Sequence, residues 1–211
     1  MITPTQAYEN KLYQQGYSNI AGLDEAGRGA WAGPIVAAAV IMPKDNIIEG
    51  VRDSKLLNPN KREEIFNKIK KIAISWSVGI VEIDFINKYN IGPANIKAFE
   101  IAIDSLDVKP DYALVDGIGF MRKTVDCSNN VRREYVKDGD AVIYSIAVSS
   151  IIAKVTRDNI LKQLHNEYPE YGFDKHKGYG TKFHQEALEK NGICSIHRRL
   201  YKPIARIIAG R

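Results

Sequence analysis

Four acidic residues stand where predicted strands or helices begin or end, which is where catalytic side chains commonly gather. They are Asp24, Glu25, Asp116 and Asp140. Hard divalent cations such as Mg²⁺ prefer oxygen ligands, and two such ions can stabilise the entering and leaving oxygens of a phosphodiester displacement. If the four carboxylates converge, they can hold two divalent ions without cysteine or histidine. Since a single acid at such a place is more often a cap or a turn residue, the hypothesis depends on the whole set.

A fifth acid, Asp158, competes with Asp140 for the fourth place in this set. The sequence predicts one helix over residues 141–168, on which Asp158 would lie about 27 Å along the axis from Asp140. The two side chains cannot then reach one pair of ions. Because a helix N-terminus favours a charged carboxylate, we assign Asp140 to the site and expect Asp158 to pair with an arginine.

Two glycine-containing stretches are suited to close contact with a ligand. Gly27, Arg28 and Gly29 follow the paired acids directly, and Tyr179 stands between two further glycines. Glycine allows backbone N–H and C=O groups to approach a sugar without a Cβ in the way, and the planar fork of arginine suits a phosphate. The plainer interpretations are a tight turn for the first stretch and a core tyrosine for the second.

Basic residues that can bind phosphate occur in three regions. Lys55 lies on a predicted loop, and Lys154 lies on the long helix, where a solvated lysine is an equal alternative. Residues 195–211 contain several basic residues and no acid, which predicts a surface that follows a nucleic-acid backbone and binds less tightly as salt rises. These residues are Arg198, Arg199, Lys202, Arg206 and Arg211.

Composition narrows the class of protein without deciding it. The formal net charge of +5 is compatible with a polyanionic partner. Two widely spaced cysteines give neither a zinc motif nor a disulfide framework and favour the reducing cytoplasm. The four histidines are scattered, and we assign none to catalysis. No run of 18 apolar residues occurs, so we expect no membrane segment.

Hydrophobic periodicity predicts an α/β protein. Strands are predicted over residues 20–23, 34–42, 74–83, 112–115 and 131–136, the first three as a meander. Helices are predicted over residues 5–15, from 58 onward, and over 94–106, 141–168, 182–190 and 203–209. This order implies a mixed β-sheet flanked by helices. We expect one domain over residues 1–211, in which about 170–211 form a C-terminal helical extension that binds substrate.

Five motifs follow one another as in a known enzyme family. They are DEAGRG with AGPIVAAAVI, then DSK, VDG, DGDA with SIIAKVTRD, and YGF with HKGYGT. Together they resemble bacterial type 2 ribonuclease H (ribonuclease HII) over roughly residues 18–200. The resemblance implies a ribonuclease-H-like fold and an endonuclease that uses Mn²⁺ or Mg²⁺ in a two-metal site. It implies that Asp24, Glu25, Asp116 and Asp140 bind the metals.

The resemblance also implies a substrate and its readers. The enzyme would cut the RNA strand of RNA–DNA hybrids and nick 5′ to ribonucleotides in duplex DNA, leaving a 5′-phosphate and a 3′-hydroxyl, as in ribonucleotide excision repair. Gly27, Arg28 and Gly29 would read the ribonucleotide, and Tyr179 would sense its 2′-hydroxyl. A monomer is the family expectation. The chain departs from the family pattern at Ala30-Trp31 and by the extra acid Asp138.

Two alternative functions are compatible with the sequence, and the geometry of the paired acids raises a question. The chain could be another nuclease of this fold, such as a junction resolvase, or a non-catalytic module that binds hybrids. The question is how Asp24 and Glu25 serve the same ions, since neighbouring strand residues point to opposite faces. We expect the strand to end or bulge at these acids; carboxylates that diverge across the sheet would contradict this.

Overall fold

A mixed five-stranded β-sheet lies at the centre of the molecule in a computed structural model that describes residues 3–117 and 131–210. Its strands are β1 (Ile20–Ala26), β2 (Ile35–Ile41), β3 (Ser75–Val81), β4 (Tyr112–Asp116) and β5 (Arg132–Val136). The order across the sheet is β3-β2-β1-β4-β5. Strands β1 to β3 form an antiparallel meander, whereas β4 and β5 run parallel to β1. The predicted mixed sheet and its meander are confirmed.

Helices cover both faces of this sheet. They are α1 (Ala7–Gln14), α2 (Pro59–Ile72), α3 (Ile83–Tyr89), α4 (Ile91–Asp104), α5 (Gly139–Val142), α6 (Tyr144–Glu167), α7 (Phe173–His176), α8 (Lys182–Asn191) and α9 (Lys202–Ile208). The expected start of α2 is confirmed, since Asn58 Oδ1 accepts a hydrogen bond from the Lys61 N–H at 2.9 Å. None of the helices in the described ranges is long and apolar enough to cross a membrane.

Side-chain alternation along the strands divides the core into two layers. On one face of the sheet, Leu23 belongs to a buried cluster that includes Phe99 of α4. On the other face, Ala26 and Val40 belong to a buried cluster that includes Ile151 of α6. The long helix α6 therefore lies directly behind the strand that carries the paired acids.

The contact between β1 and α6 requires a glycine. A Cβ atom at Gly22 would lie 2.1 Å from the carbonyl carbon of Ser145, and Ser149 Oγ donates a hydrogen bond to the Gly22 carbonyl at 2.7 Å. Gly22→Ala should therefore lower the free energy of unfolding by about 3 kcal/mol, because the obstacle is backbone rather than a movable side chain. Urea unfolding measures this loss. The control is Gly92→Ala, where a Cβ meets no neighbour within 4 Å; equal losses in both variants would contradict the prediction.

The prediction of one unbroken helix over residues 141–168 is wrong, because the helix is interrupted at Ile143. Ile143 has extended backbone angles (φ −109°, ψ 124°) and separates α5 from α6. The N-terminal segment explains the break, because Thr5 accepts a hydrogen bond from the Tyr144 N–H at 3.1 Å and donates one to the Val142 carbonyl at 3.2 Å. The Glu9 carboxylate then accepts the Ser145 N–H at 2.8 Å. Periodicity along residues 141–168 alone contains no sign of this distant partner.

The C-terminal segment packs on the second half of α6. Leu161 of α6 shares a buried cluster with Phe173, Leu188 and Ile204. The two predicted short helices near the C-terminus are confirmed as α8 and α9. Ala32 belongs to the same cluster, so this packing brings the C-terminal segment against the loop that follows β1.

Candidate active site

One open cavity of about 530 Å³ is lined by three of the four predicted acids, Asp24, Glu25 and Asp116. The fourth acid, Asp140, lies beside the cavity, where Nζ of the cavity-lining Lys55 is 3.2 Å from its Oδ2 atom. Asp116 Oδ1 accepts the Gly139 N–H at 2.7 Å, which joins the end of β4 to the helical turn that carries Asp140. The structure thus brings the four acids together.

The paired acids do not lie where strand β1 ends. Pairing with β2 continues one-to-one through Asp24, Glu25 and Ala26. The prediction that β1 ends or bulges at the two acids is therefore wrong on the edge of β1 that faces β2. Pairing with β4, in contrast, stops at Leu23. Asp24 and Glu25 therefore leave opposite faces of β1, yet both line the cavity, which opens beyond the last β4 pair. They do not diverge into separate sites.

Burial and mutual repulsion disfavour the charged forms of these acids. Burial raises the pKa of Asp24 well above its ordinary value, and the charges of Glu25, Asp116 and Asp140 raise it further. Burial also raises the pKa of Glu25 to about 7, although Arg28, whose Nη1 lies 3.8 Å from Glu25 Oε1, opposes this shift. The pKa of Asp116 is raised by burial and by Asp140. A cation bound among these carboxylates would relieve this concentration of negative charge.

The donor set suits hard divalent cations. All four side chains offer carboxylate oxygens, the ligands preferred by Mg²⁺ and Mn²⁺. Within the described ranges, no three aspartate, glutamate, histidine or cysteine side chains are grouped closely enough to hold one ion together. A set in which each ion takes one or two carboxylates, with water and substrate supplying the remaining oxygens, fits this spacing.

The Gly27–Gly29 stretch forms part of the same cavity wall. Gly27 has a left-handed φ of +95°, and a Cβ there would lie 1.9 Å from Nε of Arg157. The glycine is thus required by the backbone turn and by the arginine packed against it. Arg28 and Gly29 are exposed, and no atom would obstruct a Cβ at Gly29 within 4 Å. Their exposed position suits contact with a ligand in the cavity.

Tyr179 lines this cavity and is half-buried. Its loop packs on the segment after β1, where the Trp31 N–H donates to the Gly178 carbonyl at 2.8 Å. A Cβ at Gly180 would lie 2.1 Å from the Trp31 ring. The two glycines beside Tyr179 therefore permit close packing of two loops. This contact places the tyrosine next to the Gly27–Gly29 stretch.

Two buried arginines that sequence reasoning missed hold the segment after β1. Arg198 is fully buried, so its assignment to an exposed basic surface is wrong. Its guanidinium donates hydrogen bonds to the carbonyls of Gly27, Gly33 and Pro34 at 2.7, 2.9 and 3.0 Å. Arg157, also fully buried, donates to the Pro34 carbonyl at 2.9 Å. The carbonyl partners explain how two arginines can be buried here without a carboxylate in contact.

Arg157 additionally links the two loops. It donates hydrogen bonds to the carbonyls of Ala32 and Lys177, both at 2.9 Å. Burial lowers its pKa to about 10, which leaves the group charged near neutral pH. The rest of the predicted basic surface is exposed, namely Arg199, Lys202 and Arg206, while Arg211 lies outside the described residues.

Three buried histidines support the loop that carries Tyr179. His184 Nδ1 contacts the Tyr179 carbonyl at 3.0 Å, and its Nε2 contacts Nε2 of His197 at 3.1 Å. His176 Nδ1 accepts the Gly178 N–H at 3.1 Å. Burial lowers the pKa of His184 and of His197 to about 4, so both are neutral near pH 7. That no histidine takes part in catalysis stays a prediction.

Lys154 and Asp158 form an ion pair at the cavity rim. Lys154 Nζ lies 2.8 Å from Asp158 Oδ1, and Arg62 Nη1 lies 3.6 Å from Asp158 Oδ2. The expected pairing of Asp158 with an arginine is confirmed. Lys154 still lines the cavity, as Lys55 does.

Similarity to known proteins identifies the family of this chain. The model of the family described as ribonuclease HII matches residues 21–204. Ribonuclease HII of Acetivibrio thermocellus is 50% identical over 191 residues, which cover 90% of this chain and 72% of that protein. Ribonuclease HII of Dehalococcoides mccartyi is 47% identical over 206 residues, covering 96% and 95%. The crystal structure of ribonuclease H2 from Pyrococcus horikoshii has a TM-score of 0.78 at 28% identity, covering 92% of this chain and 98% of that one. The chain belongs to the ribonuclease HII family and is a type 2 ribonuclease H endonuclease.

Proposed function

We propose that this endonuclease requires Mg²⁺ or Mn²⁺, cuts the RNA strand of RNA–DNA hybrids and nicks 5′ to ribonucleotides in duplex DNA. The products would carry a 5′-phosphate and a 3′-hydroxyl, and the reaction would begin ribonucleotide excision repair. One observation carries the proposal: three of the four acids share a single cavity with the Gly27–Gly29 stretch and Tyr179, and the fourth, Asp140, lies beside it. A cutting site next to groups suited to contact a ribose is what such a reaction needs.

In this proposal the carboxylates hold two divalent ions. Asp24, Glu25, Asp116 and Asp140 would supply the oxygen ligands. When bound, the ions would supply a lower pKa for the attacking water and positive charge for the leaving 3′-oxygen. No serine, cysteine or histidine nucleophile is then needed.

The remaining cavity residues would select and orient the substrate. Backbone groups at Gly27 and Gly29 approach the ribose, and Arg28 binds a flanking phosphate. The Tyr179 ring stacks on the sugar while its hydroxyl bonds the 2′-hydroxyl, the group that distinguishes RNA from DNA. Lys55 and Lys154 bind phosphate oxygens.

The organisation of the chain follows from this assignment. We treat residues 1–211 as one catalytic domain, in which about 170–211 form a substrate-binding extension that acts through Tyr179 and the exposed C-terminal arginines. The protein would act as a monomer in the cytoplasm.

An incision assay tests the proposal directly. The substrates are an RNA–DNA hybrid, a DNA duplex with one ribonucleotide and the same duplex without it, each with and without Mg²⁺ or Mn²⁺. We expect cutting of the first two substrates only, and only with metal. Cutting of the all-DNA duplex would favour a resolvase-type nuclease, and binding without cutting would favour a non-catalytic module.

The role of Tyr179 predicts separate effects of its ring and its hydroxyl. Tyr179→Phe should lower kcat/KM on a single embedded ribonucleotide about tenfold, the value of one hydrogen bond to a substrate group. Tyr179→Ala should lower it about 100-fold, since the stacking surface is also lost. The midpoint of thermal unfolding should change little, because the side chain is half exposed.

The matched control is Tyr168→Phe, which removes another hydroxyl outside the cavity, where it bonds Ser195 at 2.7 Å. Its incision rate should equal that of the unaltered enzyme. If Tyr179→Ala lost thermal stability in proportion to activity, the tyrosine would be a core residue and its substrate role would be wrong.

A further inference from the structure

A second open cavity, of about 390 Å³, adjoins the catalytic cavity. The two share Arg62, Lys154 and Tyr179 as common wall residues. The other charged residues that line the second cavity are Glu63, Asp158, Lys162, Lys175 and Lys177. Five basic and two acidic side chains thus surround it. Nothing in the function proposed above uses this space.

Three of the lysines have no carboxylate within 4.0 Å among the described residues. Asp158 is already engaged by Lys154 and Arg62 at 2.8 and 3.6 Å, and Glu63 is exposed. The uncompensated positive charge therefore belongs to the three lysines that only the second cavity contains. They are Lys162, Lys175 and Lys177.

The contacts of these lysines are with uncharged groups. Lys162 Nζ donates to the side-chain oxygen of Asn159 at 3.2 Å. Lys175 Nζ lies 5.2 Å from the centroid of the Phe183 ring. Lys177 Nζ donates to the backbone carbonyl of Asp174. An anion in the cavity would supply the missing counter-charge.

The backbone at Lys177 is held in an uncommon conformation. Its φ of 52° lies in the left-handed region, which is unfavourable for a residue other than glycine and recurs at ligand-binding segments. The Arg157 guanidinium donates a hydrogen bond to the Lys177 carbonyl at 2.9 Å, and the Lys177 N–H donates one to the Phe173 carbonyl at 3.0 Å. Burial lowers the pKa of Lys177; the charges of Asp158 and Asp174 oppose this shift, and those of Lys162 and Lys154 add to it. The lysine is thus fixed two residues before Tyr179.

We propose that the second cavity binds a backbone phosphate of the strand that carries the ribonucleotide. This inference rests on the proposed function, because it extends the path of that strand beyond Tyr179. The cavities share a wall, and phosphates of one strand recur every 3.4 Å or so along a duplex axis, so a neighbouring phosphate can reach the second cavity without a change of strand. The site would read position rather than sequence, since phosphates carry no base information.

Neutral phosphates on the substrate test this inference. A set of duplexes with one embedded ribonucleotide carries a single uncharged methylphosphonate at successive positions on either strand, and kcat/KM of incision is measured for each. We expect one position on the ribonucleotide strand, within about three nucleotides of the ribonucleotide, to cost the unaltered enzyme roughly tenfold. The double variant Lys162→Ala/Lys175→Ala should have a lower kcat/KM on the unmodified duplex. A methylphosphonate at the sensitive position should cause this variant no additional loss.

The control double variant Lys11→Ala/Lys71→Ala removes the same charge at two exposed lysines outside both cavities. It should respond to every methylphosphonate as the unaltered enzyme does. The inference is overturned if the cavity variant and the control respond alike to the methylphosphonate at every position. It is also overturned if the one position to which only the cavity variant is insensitive lies on the complementary strand. Failure of the unaltered enzyme to cut the unmodified duplex would instead overturn the proposed function.

Discussion

Asp116→Asn is expected to reduce cleavage by about 1,000-fold or more while hybrid binding is retained. In the unaltered protein Asp116 Oδ1 accepts the Gly139 N–H at 2.7 Å. The asparagine amide has nearly the same size and keeps an oxygen that can accept this hydrogen bond, so the contact between β4 and α5 is preserved. It loses the negative charge that a divalent ion requires. The midpoint of thermal unfolding should not fall, because a charge disfavoured by burial and by Asp140 is removed. Single-turnover incision, hybrid binding and thermal unfolding measure the three quantities.

Asp138→Asn is the matched control for this prediction. Asp138 is an exposed acid close in sequence to Asp140, and asparagine accepts its left-handed φ of 52°. This variant should cut at the normal rate. A normal rate for Asp116→Asn as well would show that the assignment of the metal ligands is wrong.

Arg198→Lys should destabilise the protein by about 3 kcal/mol and lower incision of embedded ribonucleotides. Lysine keeps the charge but has one nitrogen, which cannot reach the separate carbonyls that the guanidinium fork binds at Gly27, Gly33 and Pro34. The Gly33 carbonyl would be left without a donor, which costs about 1–3 kcal/mol. The Gly27 carbonyl keeps the Ala30 N–H and the Pro34 carbonyl keeps Arg157, so these two lose one hydrogen bond from a charged group each. Urea unfolding measures the stability, and kcat/KM at a temperature where the variant is folded measures the effect on the Gly27–Gly29 stretch.

The neighbouring Arg199 provides the control for that experiment. Its side chain is exposed, and the hydrogen bond to Asn87 comes from its backbone N–H at 2.7 Å, so Arg199→Lys should unfold like the unaltered protein. If both variants had the same stability, the hydrogen bonds of Arg198 to the loop would contribute nothing to the fold.

Much of the architecture could be predicted from local patterns. The run from residue 34 to 42 is apolar at every position because β2 is covered on both faces, and it appears as strand Ile35–Ile41. Asn58 and Pro59 mark the start of α2 through two local effects, a side-chain cap and a fixed φ. Acids placed near the predicted ends of strands and helices, together with the ordered motifs, indicated the four carboxylates that lie in or beside one cavity.

What could not be predicted depends on partners far away in sequence. Arg198 lies in a basic segment, and nothing local distinguishes an arginine that binds the carbonyl of Gly27 from one that faces solvent. Likewise, Ile143 belongs to an apolar run that is helical by periodicity, and its extended backbone follows from the bridge to Thr5. How the neighbouring Asp24 and Glu25 both reach one cavity depends on where pairing between β1 and β4 stops. The sequence of β1 alone does not show this.

The bridge between Thr5 and Ile143 has a consequence for how the protein is made. The hydrogen bond from Ser145 to Glu9 spans 136 positions, so α1 meets this partner only after the residues between them have been synthesised. The turn that carries Asp140 is fixed by the same bridge. The turn that completes the proposed cutting site therefore depends on a contact between distant parts of the chain, which places its completion late in folding.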